Sequence, residues 1–251
     1  MIKLVKKDLK LFFSSRQGIM LTFALPIIII TLFYFAFGKM GNTEQDHLYG
    51  VVQVVAGTSV MMLLFSVAGI GGSLLDEKQD GMLKKLLCSP VHPSHILYGK
   101  MVYANIISII QLVIMFIYAW LAFGLDILHH LPSIALMILA TAYACSGFGI
   151  ILASFARSRQ QVQGFSTIIV LVMSAIGGSM IPIFIMPAIM QKIAVVSVNY
   201  WGIQGFFDIF LRLYTLTNIT FLSRVLVLLG IGTFLNYIAL LMFRKNILKI
   251  A

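Results

Sequence analysis

Few residues in this chain have types that could do chemistry, and their spacing does not assemble them. His92 and His95 stand three apart, a separation that puts two metal ligands on one helical face. Pro93 lies between them and spoils that geometry, and no third ligand is near in sequence. Cys88 falls in a polar segment and Cys145 in an apolar run, so the two offer no disulfide framework. Gly69-Ile70-Gly71-Gly72 is a glycine cluster without the lysine and hydroxyl residue of a phosphate loop, and close packing explains it better. Asp208 and Arg212, four apart, are spaced to pair. No apolar run brings together a nucleophile, an acid–base pair or a metal site, which argues against an intramembrane enzyme. What stands out instead is a polar segment, residues 76–100, set between two long apolar stretches. Leu83, Leu86 and Leu87 fall on one helical face there, with Lys84 and Lys85 on another, before Ser89-Pro90 and His92-Pro93 break the helix. An apolar stripe on such a segment suits docking to a partner.

The elements around that segment are membrane spans. The chain is 60% apolar and 10% charged, with a mean hydropathy of +1.01. Six stretches approach the roughly 20 apolar residues that a bilayer core demands: 19–37, 51–75, 101–124, 133–156, 164–185 and 225–243. Continuous rather than alternating runs exclude a β-barrel. The fold expected is an all-α polytopic membrane protein with six transmembrane helices, forming one domain over residues 1–251.

The net charge of +10 is not a nucleic-acid footprint, because of how it is distributed. With a cytosolic N-terminus, the inner segments hold Lys3, Lys6, Lys7, Lys10, Arg16, Lys78, Lys84, Lys85, Lys100, Arg157, Arg159, Arg244, Lys245 and Lys249. The outer ones hold Lys39, Lys192, Arg212 and Arg224. Acidic residues split evenly, with Asp8, Asp76, Glu77 and Asp80 inside and Glu44, Asp46, Asp126 and Asp208 outside. The whole excess therefore marks one face, which puts both termini in the cytosol of a bacterial inner membrane and leaves no call for nucleic acid. No cleavable leader pattern precedes the first run, which is expected to act as an uncleaved anchor.

Ile2, Val5, Leu9 and Phe12 recur at helical spacing opposite four lysines, the pattern of an interfacial helix over residues 2–16. Residues 182–210, with Pro182, Pro187 and Asn199, are too apolar for a solvated loop and too interrupted for a straight span. Re-entrant helices are expected there; the alternative is a seventh span around 193–210, at the expense of burying Asn199, Gln204 and Asp208. Gly69 with Ser73, and Gly149 with Ala153, are small-residue pairs suited to close helix packing. Asn105, Gln111 and Asn236 are expected to bond neighbouring helices. No span contains an ionisable residue that would mark an ion path, which favours a lipophilic cargo.

Two motifs carry a family resemblance. Glu77-x3-Gly81-x-Leu83-x2-Leu86-x2-Ser89-Pro90, followed by Gly99-Lys100 opening a span, resembles the permeases of the type-two ABC exporters. Gly177-Gly178-x3-Pro182, Pro187, Asn199-Tyr200-Trp201 and Gly205 resemble that family's signature before its last span, with Tyr200 where proline is usual. The resemblance implies a membrane subunit with no ATPase site or cofactor of its own, ATP and magnesium being held by two cytosolic ATPase subunits. It implies a second permease copy or relative alongside, in contact with membrane lipid. It places Glu77, Gly81, Leu83, Leu86 and Pro90 in a cytosolic coupling helix. It places Gly177, Gly178, Pro182, Pro187, Asn199 and Trp201 in an outer gate. The cargo implied is a drug, antibiotic, peptide or lipid-like amphiphile. Polysaccharide or lipid-linked glycan export, and a non-transporting immunity or scaffold role, are the alternatives.

Overall fold

A computed structural model describes residues 2–38, 43–82 and 93–243, and among these the chain is helical with no strand. Helix α1 (Ile2–Ser14) turns Val5 and Asp8 inward and leaves Ile2 outside, so the buried stripe starts later than the apolar spacing suggests. Ser15 breaks it and caps α2 (Arg16–Ala36), its hydroxyl accepting from the Gly18 N–H at 3.1 Å. A π-helical turn over Met20–Ala24 precedes Pro26, absorbing the hydrogen bond that proline cannot make.

Helix α3 (Glu44–Gln79) is the axis of the bundle. Thr43 and Asp46 start it with a capping box, and Gly81 stops it at φ +71°, a left-handed turn natural to glycine. Its 36 residues make it about 54 Å long, well beyond a bilayer core of about 30 Å. The apolar window of 51–75 is the middle of a longer rod whose ends are polar. Helix α4 (Pro93–Phe123) likewise starts before 101, and the fourth span starts with a turn at Leu128–His130. In that turn His129 hydrogen-bonds Asp126 and holds its carboxyl below the ordinary range. The span continues through α5 (Leu131–Ser146) and α6 (Phe148–Phe155), with Gly147 at the break. Asn236 of the last helix packs against Gly147 and bonds the Tyr143 carbonyl at 3.3 Å, taking a bond from Ser146 at 3.1 Å.

Helix α7 (Arg159–Ile176) corrects the expected fifth span of 164–185. Ser158 caps a first turn rich in arginine and glutamine, which is helical although not apolar, and Gly177-Gly178 ends the helix before Pro182. Two helices follow, α8 (Ala188–Ala194) and α9 (Val198–Phe210), bent by 93°. Tyr49 touches Phe184 before this pair and Phe207 near its end, at centroid distances of 5.4 and 5.2 Å. Gly202 instead meets Val60, eleven residues or about 16 Å further along α3. The chain therefore dips inward and returns to the end it left, rather than crossing. Helix α10 (Ile219–Met242), capped by Asn218, begins six residues before the expected 225 and crosses back.

Among the described residues five helices are long and apolar enough to span a membrane; α7 is not one of them, but it runs along α3 from Arg159 beside Asp76 to Gly178 beside Gln53. One end of the bundle carries α1, the start of α4 and the end of α10, where Leu4, Leu74, Ile96, Met101 and Phe243 pack together. That is the basic end. Helices in lipid gain little from hydrophobicity against one another, so close backbone approach has to hold them. It occurs where α3 crosses α6: a Cβ on Gly71 would collide with the Gly149 carbonyl, and one on Gly149 with that of Val67. Of the two glycines expected at close packing, Gly149 makes this contact and Gly69 faces open space.

Candidate functional site

At the basic end, α3 delivers Asp76 and Glu77 in its last turn, where the helix dipole is already negative. Carboxylates there need cations from elsewhere. Lys100 of α4 supplies one, its Nζ lying 2.9 Å from Glu77 Oε1 and 2.9 Å from Asp8 Oδ2 of α1. The Lys100 and Asp8 side chains are each only 4% exposed. Gly99 allows this approach, because the Leu4 side chain of α1 occupies the space a Cβ would need. Lys7 adds a second, looser cation 3.8 Å from Glu77, and also donates to Met82 Sδ at 3.2 Å. Arg159, at the start of α7, holds Asp76 at 2.5 Å. Four helices thus meet in one ionic node, at the two roots of the segment 83–92.

Glu77 sits in that node, and Gly81 forms the helix stop just beyond it. Leu83, Leu86 and Pro90, together with Cys88 and His92, lie outside the described residues. Lys100 corrects the expectation that no span buries an ionisable residue: it is inside α4 and 3% exposed. Sequence reading also passed over Asp8 and Arg159 as site residues. The available signal for Asp8 was an acid at i+3 from Val5, on the apolar side of a lysine-rich helix.

The second group lies at the other end. Asn199, fully buried, donates to the hydroxyls of Ser174 and Ser179, both at 2.8 Å. Ser197 caps α9 and donates to the Met173 carbonyl at 3.0 Å. A Cβ on Gly177 would press on Ser197 Oγ at 2.5 Å and on the Asn199 Cβ at 2.8 Å, so this joint requires glycine. Gly178 has φ +90°, and its carbonyl accepts from Gln53 of α3 at 2.7 Å. Pro182 precedes a short turn at Ile183–Ile185, and Pro187 is exposed at the start of α8. Trp201 donates to the Val195 carbonyl at 2.7 Å, closing the bend, and lies 5.3 Å from the Arg224 guanidinium. Asp208, wholly buried near the end of α9, is held by Arg212 and by Arg224.

The two groups share α3. Glu77 is at one end and Gln53 near the other, 24 residues or about 36 Å apart along one helix without a proline.

The family model described as ABC-2 type transporter matches residues 1–211. A curated relative, the linearmycin resistance permease protein of Bacillus subtilis (strain 168), is 25% identical over 181 residues. The match covers 71% of this chain and 46% of that protein, so less than half of the relative is represented here.

Proposed function

Because this chain belongs to the ABC-2 type transporter family, as a multi-pass membrane subunit, we propose that it is the export permease of a pair driven by a separate cytosolic ATPase. The observation that carries the reading is the continuous α3, rooted in the ionic node and touching the bent pair at its far end. In the proposed cycle, two ATPase subunits close on ATP and push the segment 83–92 of each of two permeases. Glu77 and Lys100 flank that segment, so the push reaches α3 and α4 together, and Asp8 carries it to α1. Helix α3 then tilts, and Gln53 and Gly57, packed on Gly178 and Ser179, shift the bent pair that closes the outer side. Glu77 and Gly81, with the leucines and Pro90 beyond them, are the coupling residues in this scheme. Gly177, Gly178, Pro182, Pro187, Asn199 and Trp201 belong to the outer gate.

The node sits at the basic end, which the positive-inside rule assigns to the cytosol of a bacterial cell membrane. The permease name of the Bacillus subtilis relative, with its link to linearmycin resistance, supports removal of a toxic compound over export of a glycan. The outward faces of α2 and α10 are apolar, which supports lipid contact or pairing with a second permease.

The test is uptake of fluorescent amphiphiles with cationic, neutral and anionic heads into inside-out vesicles. Vesicles would contain this chain with or without a candidate ABC ATPase from the same genome. ATP-dependent uptake of at least one probe is expected only when both proteins are present. Uptake by the chain alone, or none by the pair, overturns the reading.

A further inference from the structure

A cavity of about 850 Å³ opens beside the node, between α1, α2, α3, α4 and α7. All four carboxylates of the basic-end segments, Asp8, Asp76, Glu77 and Asp80, line it, against Lys100 and Arg159 in the lining and Lys7 at 3.8 Å from Glu77, a balance of four to three. On the most basic face of the protein this single recess is net acidic. Glu77 Oε2 is buried there without a hydrogen-bond partner. Away from the carboxylates the walls become apolar, with Met62 and Phe65 of α3 facing Leu21 and Leu25 of α2. Between the two zones stand Ser66 and Ser73, and Gly69, whose Cβ position has no atom within 4 Å. The volume is that of a small-ligand site.

We propose that this cavity is the loading site for a single-chain amphiphile with a protonated amine head, entering from the inner leaflet. The amine sits among the carboxylates, where it offsets the excess negative charge and reaches Glu77 Oε2. The chain lies along Met62 and Phe65. A phosphate or carboxylate head meets net repulsion at the same place. Because Glu77 also holds Lys100, a bound amine alters the node through which the drive passes. The inference names the cargo class of the exporter proposed above and rests on that reading, but its test needs no ATP.

The full chain in phosphatidylcholine nanodiscs is photolabelled with three dodecyl probes that share a chain diazirine and differ in head: amine, hydroxyl or carboxylate. The amine probe is expected to label Met62 and Phe65 about tenfold more than the carboxylate probe, the size of one charge-assisted hydrogen bond. Asp76→Asn with Asp80→Asn should erase that preference, and Gly69→Trp should block labelling at both sites. If Gly69→Trp does not accumulate, the double Asn variant decides. Equal labelling by the three heads overturns the proposal. So does labelling only on lipid-facing helices, or crosslinking of this cavity to a second chain or to residues 83–92. Vesicle uptake of neutral or anionic amphiphiles without the amine would sink this inference and leave the export reading intact.

Discussion

Lys100→Met is expected to remove most of the folded protein from the membrane. The substitution keeps the length and apolar stem of the side chain but takes the central cation from a node where Asp8 is almost fully buried. Uncompensated buried charge of this kind costs about 3–5 kcal/mol. Lys7 is 3.8 Å from Glu77, more exposed, and does not replace the lost contact to Asp8. Replacing the whole buried set with apolar residues of similar size is close to neutral for many ion clusters. The triple variant Asp8→Leu, Glu77→Met and Lys100→Met should therefore recover membrane abundance and thermal stability while transport stays lost. Abundance and melting temperature of the purified single and triple variants check the first half, and vesicle uptake the second. A stable Lys100→Met protein would show that the node does not hold the helices together.

Gly71→Val should be nearly as damaging, for a reason of shape rather than charge. Backbones of α3 and α6 touch at this point, so even one added carbon meets the Gly149 carbonyl, and backbone cannot rotate aside as a side chain would. Overpacking typically costs about 1–3 kcal/mol, and separating two helices along their contact belongs at or above the top of that range. Gly230→Ala, where no atom lies within 4 Å of the added carbon, serves as the control and should leave the melting temperature unchanged or raise it. The prediction is a sharp loss of monodisperse protein for Gly71→Val against the control. Equal behaviour of the two would contradict the close crossing.

What the sequence could and could not convey follows from these contacts. Long apolar runs announce spans, because lipid demands them whatever their partners. The full length of α3 was hidden, since its polar ends, from Glu44 and up to Gln79, look like loop to any hydropathy window. Helix α7 was displaced for the same reason: Arg159 to Gln163 are helical because Ser158 caps them, not because they are apolar. Which glycine of Gly69, Gly71 and Gly72 makes the close contact depends on where α6 lies, and no local pattern encodes that. Asp8 is legible only once Lys100 is known to lie against it. The segment 83–92 stands out in the sequence for its leucines, prolines and charges, whereas the node at its two roots required the fold.

The central proposal is that motion enters through the segment 83–92, between α3 and α4, and travels along α3. It is tested most directly by the double variant Glu77→Gln/Leu83→Ala, reconstituted with its ATPase, with ATP hydrolysis and amphiphile uptake measured on the same vesicles. The neutral amide keeps the shape of residue 77, and Lys100 keeps its contact to Asp8, so the protein should remain folded. The account predicts that hydrolysis continues while uptake falls at least about tenfold, the loss of roughly 1.4 kcal/mol of coupling. Uptake at the wild-type rate, with hydrolysis unchanged, would contradict it.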